Sequence, residues 1–320
     1  MSVVVTILLF AVGIVLVVKG GDYFVDAASW IAETSGIPKL IVGATIVSFA
    51  TTLPELLVSS FAAAEGKVDI AAGNAVGSVT ANLGLIMGIA IVCMPSVIRR
   101  KDYILKSALM LGSAFLLLLA CQGGFLTFLP CVGLILIFLV AMGENVYGAR
   151  KAMRLEAPEE KKRKRPKKHE IAVNVLKFVL GVAAIIIGAQ LLVDYGSEIA
   201  LMLGVPERII GVTMIAVGTS LPELVTTLSA IAKKEASLSV GNIIGANIID
   251  LTLILPVCAF LSGGALPVSA QSAGLDLPVC LAVGVVALLP ALITKKFHRV
   301  QGGIMLAGYG AYVVYTCLGL

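Results

Sequence analysis

Charge is scarce in this 320-residue sequence. Asp, Glu, Lys and Arg make up 13% of it against 59% hydrophobic residues, about half the charged share of a soluble globular domain. That scarcity excludes a soluble domain and predicts an all-α polytopic membrane protein. Histidine is nearly absent: His169 and His298 both lie in basic loops, and there is no HExxH or Cys/His cluster, so zinc chemistry is unsupported. The six cysteines, Cys93, Cys121, Cys131, Cys258, Cys280 and Cys317, form no CxxC pair and read as small core residues. Also missing are a nucleophile–base pairing, a phosphate-binding glycine loop and an intramembrane aspartyl-protease signature, which argues against an enzyme. No filter-like loop of a tetrameric channel is visible, and nothing suggests a nucleic-acid partner.

What is abundant is apolar sequence in runs of about 17–25 residues, each sufficient to cross a bilayer as a helix. Roughly ten such spans fall near 4–33, 40–64, 70–98, 104–121, 125–147, 172–193, 208–231, 237–262, 276–294 and 302–319. The first is long for one crossing and is expected to tilt or bend, ending in a turn near Gly36 and Pro38. It lacks a preceding basic residue and an A-x-A-like cleavage site, so it reads as a retained helix, not a signal peptide. Most of the net charge of +5 comes from "ARKAMRLEAPEEKKRKRPKKHE" at 149–170. This stretch is expected to be a solvated cytoplasmic linker, with anionic-lipid binding as the sharper alternative.

The chain compares well with itself. Residues 36–55, "GIPKLIVGATIVSFATTLPE", align without a gap to 204–223, "GVPERIIGVTMIAVGTSLPE", at an offset of 168 with nine of twenty positions identical. The same offset pairs "GNAVGSVTAN" (73–82) with "GNIIGANIID" (241–250) and "VDAAS" (25–29) with "VDYGS" (193–197). Two homologous halves follow, 1–148 and 172–320, joined by the basic linker 149–171. Cytoplasmic loops collect Lys and Arg. With the linker inside and ten spans threaded, the inside also receives Arg99, Arg100, Lys101, Lys233, Lys234, Lys295, Lys296 and Arg299, while the outside keeps mainly Lys67 and Arg208. Both termini are then outside, in a plasma or inner membrane. Five spans per half make the two copies an inverted repeat, a design typical of secondary transporters with midplane sites.

The repeated residues suggest chemistry. An acid at the bilayer centre costs roughly 2.5–3.5 kcal/mol on insertion scales, and Glu55 and Glu223 both occupy such places with no Lys or Arg nearby in their own runs. No buried basic residue elsewhere in the spans offers an obvious salt bridge, so a mobile cation is the simplest counter-charge; the bland alternative is a protonated Glu bonded to a neighbouring helix. Pro54 and Pro222 would free the carbonyls of Ala50 and Gly218, and opened backbone in a membrane tends to line cavities. Ser48, Thr51 and Thr52 share a helical face with Glu55, and Thr219 and Ser220 repeat this with Glu223. Asn74, Ser78 and Asn82 are matched by Asn242, Ala246 and Asp250. Gly73, Gly77, Gly241 and Gly245 beside them read as small-residue packing patterns. Carboxylates, hydroxyls and amide oxygens suit a hard cation such as calcium, which takes about six to eight oxygens; thiolate and imidazole are absent, which argues against copper or zinc.

At "ATTLPE" and "GTSLPE", followed by "GNAVGS" and "GNIIGAN", the sequence resembles the sodium/calcium exchanger branch of the calcium/cation antiporter superfamily in its compact prokaryotic form. The likeness covers essentially the whole chain. It implies ten helices, alternating access by sliding of a two-helix bundle against the other eight, and four central cation sites shared by calcium and sodium. Residue by residue, it implies that Glu55 and Glu223 bind the ions. Thr51, Thr219, Ser48 and Ala216 would give backbone oxygens, Thr52, Ser220 and Ser78 hydroxyls, and Asn82 and Asp250 the flanking polar pair. Ala50, Thr52 and Ala246 depart from the family's usual glycine, serine and serine. The expected function is antiport of calcium against sodium, with no tightly bound cofactor and a monomer as a plausible state. Coupling to protons or potassium stays open, and a passive cation channel is a more distant alternative.

Overall fold

The computed structural model describes residues 3–160, 166–203 and 218–318. Ala216, and the start of the span expected at 208–231, lie outside the described residues, as does part of the linker. The helices are α1 (Val3–Ser35), α2 (Lys39–Thr51), α3 (Leu53–Ala64), α4 (Val68–Cys93), α5 (Arg100–Ala120), α6 (Phe128–Glu160), α7 (Lys168–Met202), α8 (Leu221–Ala232), α9 (Ala236–Leu261), α10 (Ser272–Thr294) and α11 (Arg299–Leu318). Among the described residues seven of them are long and apolar enough to cross a membrane, or eight if α2 and α3, bent by 45°, make one span. α1 ends where expected, at Gly36 with φ 71°. α6 runs further than expected. Its last turns take in Ala149 to Glu160, a stretch in which, Pro158 apart, most residues are good helix formers.

The chain forms two compact units, Met1–Thr51 with Gly143–Asn242, and Thr52–Met142 with Ile243–Leu320. Each therefore draws helices from both sequence halves. In the first unit α1 and α7 run side by side and are buried over only 22% and 17% of their most apolar windows, as befits helices that face lipid. They approach through glycine: a methyl on Gly20 would sit 2.9 Å from Gly181 O, and one on Gly181 2.8 Å from Phe24 N. The rings of Phe24 and Phe178 meet beside this contact, centroids 4.8 Å apart and tilted by 47°. α2 meets the start of α9 through Gly43 and Gly241, where an added methyl would land on the backbone of Leu238 or Leu40.

Of the seven long apolar helices, α4 in the second unit and α9, whose residues pass from the first unit to the second after Asn242, are the most enclosed, 72% and 83% buried over their apolar windows. α4 packs on α11 where Gly84 faces Tyr309 and Gly88 faces Gly302. Loops at the two helix ends are tied by short ladders: Phe125–Leu126 pairs antiparallel with Leu266–Pro267, and Val97 bridges Lys296.

Helix bounds recur at the sequence offset: Leu53–Ala64 matches Leu221–Ala232, and the wide π turn opening at Asn82 matches one opening at Asp250. The glycine patterns do not recur as packing. Gly241 is pressed against Leu40, whereas Gly73 and Gly77 have nothing within 4 Å of a would-be Cβ; a small residue permits close approach but only a facing neighbour makes one.

Candidate cation-binding clusters

The bend between α2 and α3 falls at Thr52, with φ −82° and ψ −1°. α3 restarts at Leu53, so Pro54 occupies a first-turn position, where its missing N–H costs nothing. Glu55 thus sits in the first turn of a helix rather than in the middle of one. Ser220, with φ −86° and ψ 3°, precedes α8 in the same way and puts Glu223 in its first turn. A helix N-terminus favours an anion by about 0.3–1 kcal/mol. That is well short of the several kcal/mol per ion that burial costs, and Glu55 and Glu223 are only 1% and 0% exposed.

Around Glu55 the second unit gathers α3, α4 and the π turn Asp250–Ile254 of α9. Thr52, Ser78, Asn82 and Asp250 are all buried there. Asn74 Nδ2 donates to Ser59 Oγ at 2.9 Å and to the Glu55 carbonyl at 3.5 Å, linking α4 to α3. Asn82 Nδ2 donates to Asn247 Oδ1 at 3.1 Å. Its own Oδ1 is buried without a protein donor.

Around Glu223 the first unit gathers α8, the end of α2 and the start of α9. Thr51 Oγ1 lies 3.2 Å from Asn242 Oδ1 and 3.3 Å from the Ser48 carbonyl, and its single proton serves one or the other. Ser48 Oγ donates to the Thr45 carbonyl at 3.0 Å. Ser220 Oγ is buried without a protein partner, and Thr219 is half-buried. The structure therefore places Ser48, Thr51, Ser220 and Glu223 in buried positions of one unit, and Thr52, Glu55, Ser78, Asn82 and Asp250 in buried positions of the other.

Several polar residues at these clusters were not singled out from sequence. Asn145 of α6, 3% exposed, donates to the Ala44 carbonyl at 3.3 Å within the π turn Gly43–Val47 of α2. Asn247 holds Asn82. Each is an amide inside an apolar run, the one signal available to find it. Lys106 of α5 is also buried, at 3% exposure. Nothing in its place along the run announces that burial: residue type along a helix does not tell which face is covered.

Among the described residues no three acidic, histidine or cysteine side chains come together, so a cation held in either cluster would be met by few carboxylates among many neutral oxygens. That donor set is hard and all-oxygen, the kind taken by calcium or sodium rather than by a soft metal.

A sequence model described as the sodium/calcium exchanger protein matches residues 5–143 and 173–318. The chain belongs to the sodium/calcium exchanger family. It is thus a multi-pass membrane protein of an ion-exchanger family, and both blocks of buried oxygens fall inside the matched segments. This exchanger-family chain is 32% identical to the sodium/calcium exchanger MaX1 of Methanosarcina acetivorans, over 98% of each sequence. It is 33% identical to the inner membrane protein YrbG of Escherichia coli, over 97% of this chain and 95% of that one. Its fold is similar to that of the sodium-calcium exchanger NCX_Mj soaked with sodium and strontium, with a TM-score of 0.83, 26% identity, and 98% of this chain and 99% of that one covered.

Proposed function

We propose that this protein is a secondary antiporter that exchanges calcium for sodium across a membrane by alternating access. The observation that carries the reading is the burial of Glu55, Glu223 and Asp250, each at most 1% exposed, among hydroxyl, amide and loosened backbone oxygens on helices opened by bends and π turns. Two of those oxygens, Asn82 Oδ1 and Ser220 Oγ, have no protein partner, and a cation is what such oxygens serve. Glu55 and Glu223 supply charge; Thr52, Ser220 and Ser78 supply hydroxyls; Asn82 and Asp250 complete the donor set; Ser48, Thr51, Ala216 and Thr219 supply carbonyls. The names of MaX1 and NCX_Mj, both sodium/calcium exchangers, point the same way.

The topology belongs to the same proposal. Ten crossings form two inverted halves, 1–148 and 172–320, with the 149–171 linker cytoplasmic and both termini outside. The recurrence of helix bounds at the sequence offset supports it. α1 and α7, joined by glycine and facing lipid, are the pair that slides.

Reconstituted vesicles test the exchange. Calcium uptake driven by an outward sodium gradient is expected to persist when a protonophore is present and potassium is omitted. Uptake that needs a pH gradient and ignores sodium would replace this reading with proton-coupled exchange, and flux without any counter-ion would replace it with a channel.

A further inference from the structure

The turn that closes α8 carries the charges its repeat counterpart lacks the reach to use. After α8 the chain turns through Lys233, Lys234 and Glu235. Lys234 N donates to the Ile231 carbonyl at 3.0 Å and Glu235 N to the Ala230 carbonyl at 2.7 Å. The counterpart after α3, at the offset of 168, is Glu65, Gly66 and Lys67, with Gly66 N on the Ala63 carbonyl at 3.1 Å and Lys67 N on the Ala62 carbonyl at 2.8 Å. The backbone is the same, left-handed in both, with φ 75° at Gly66 and 60° at Lys234. Glycine adopts that conformation freely, whereas a lysine is there against its preference.

The side chains differ. Glu65 and Lys67 pair with each other at 2.7 Å, about 60% exposed; among the described residues they reach no other helix. Lys233 instead crosses to α1, with Nζ 2.7 Å from Asp26 Oδ1 and 3.8 Å from Asp22 Oδ1. Glu235 pairs with Lys39 at the start of α2, and Lys39 also holds Glu33 at the end of α1, at 2.9 Å. Lys39 is 26% and Glu235 20% exposed, so their pair is partly withdrawn from water, whereas Asp26, at 51%, leaves the Lys233 pair at the surface. At the positions offset from Asp22, Asp26 and Glu33 stand Gln190, Asp194 and Leu201; Asp194 keeps the acid, but the position matching Lys233 holds another acid, Glu65, so the arrangement is not repeated.

We propose that Lys233, Glu235 and Lys39 form an ionic latch that fastens α1 to the α8–α9 turn at the end of the molecule bearing the basic linker, with no equivalent at the turn after α3. The inference rests on the exchanger reading, in which α1 moves. For α1 to slide away from α8 at this end, Lys233 must leave Asp22 and Asp26, and Lys39 must leave Glu33 or Glu235. The latch therefore favours the state closed at the linker face, and the chain exchanges ions asymmetrically although its halves are alike in backbone.

The test compares wild type, Lys233→Gln, Lys233→Glu, Asp26→Lys and the swapped double variant Lys233→Glu/Asp26→Lys in proteoliposomes, measuring half-saturating calcium separately at each face. Partly exposed ion pairs are worth about a fivefold change in a population at most when taken singly. A closed state that loses its fastening raises the open fraction and tightens apparent affinity in proportion. The single variants are expected to lower half-saturating calcium at the linker face by about threefold to fivefold, with the opposite face moving the other way, and the swap is expected to return both to within twofold of wild type. Hydrogen–deuterium exchange on the full chain in nanodiscs gives a reading that needs no transport: Lys233→Gln is expected to speed exchange in residues 22–35. Singles that match wild type at both faces, a swap no closer to wild type than its parents, or unchanged hydrogen exchange would overturn the latch. Wild-type vesicles without sodium-driven calcium flux would overturn the exchanger reading instead, and the hydrogen-exchange comparison would then decide the latch alone.

Discussion

Replacing Gly181 by Ala adds one methyl group at the tightest part of the α1–α7 contact. The new Cβ would lie 2.8 Å from Phe24 N, 2.9 Å from Gly20 O and 3.0 Å from Phe24 Cα, all of them backbone atoms that no rotamer change can withdraw. Ordinary carbon contacts are about 3.5–4.0 Å, so the helices must separate by several tenths of an ångström along the seam that also holds the Phe24–Phe178 ring contact. Overpacking of this kind costs about 1–3 kcal/mol, against which the better helix propensity of Ala returns about 1. Gly73→Ala is the matched control: it lies in α4 with nothing within 4 Å of a Cβ, so only the propensity gain applies. Thermal unfolding of purified protein in detergent measures the pair, at roughly 2–4 °C per kcal/mol for mid-sized domains and less for longer chains. Gly181→Ala is expected to melt a few degrees below wild type and Gly73→Ala at or above it. Equal melting of Gly181→Ala and wild type, or the reverse order, would refute the claim that glycine sets the α1–α7 distance.

Other expectations follow from the buried clusters and the turns. Glu55→Gln and Glu223→Gln keep shape while removing charge, so each is expected to abolish cation exchange in vesicles with melting within a few degrees of wild type; exchange retained in either variant would remove that residue from the site. Asn247→Ala removes the acceptor of Asn82 Nδ2, a buried donor whose loss of partner costs about 1–3 kcal/mol, while Asn247→Asp keeps an acceptor; melting curves should separate the two. Outside the membrane spans, the hydrogen bond and then the charge of Lys67 hold the Glu65 carboxyl below its ordinary range. Lys67→Ala is expected to let it titrate higher, seen by NMR. The small stabilisation from this depressed pKa is present above the unfolded value and is lost as pH falls through the folded one.

Of the ten spans that periodicity and composition suggested, seven or eight are long apolar helices among the described residues, because a bilayer demands long apolar runs whatever the tertiary detail. The repeat was legible because Gly, Pro and Glu recur in register. Pro54 announced a break, but the bend sits two residues earlier at Thr52, since proline is comfortable in the first turn of the helix it begins. What sequence could not show was what faces what. Gly73 and Gly241 hold the same place in the repeat, yet only Gly241 has a helix against it. Thr51 is buried and bonded across to Asn242, while its counterpart Thr219 is half-buried. Lys106, 3% exposed, lies on a covered face of α5, and Asn145 reaches Ala44 across 101 residues. Aspartate in α10 was likewise passed over: Asp276 accepts from Tyr312 OH at 2.9 Å and from Ser272 Oγ at 3.1 Å, a pairing between helices that linear spacing does not encode.

The central claim is that the buried oxygens exchange calcium against sodium. Sodium-loaded proteoliposomes diluted into sodium-free medium with tracer calcium and a protonophore test it most directly. Rapid calcium accumulation that vanishes when internal sodium is replaced by choline is the result expected. Accumulation indifferent to sodium, or none in either condition from folded protein, would contradict it.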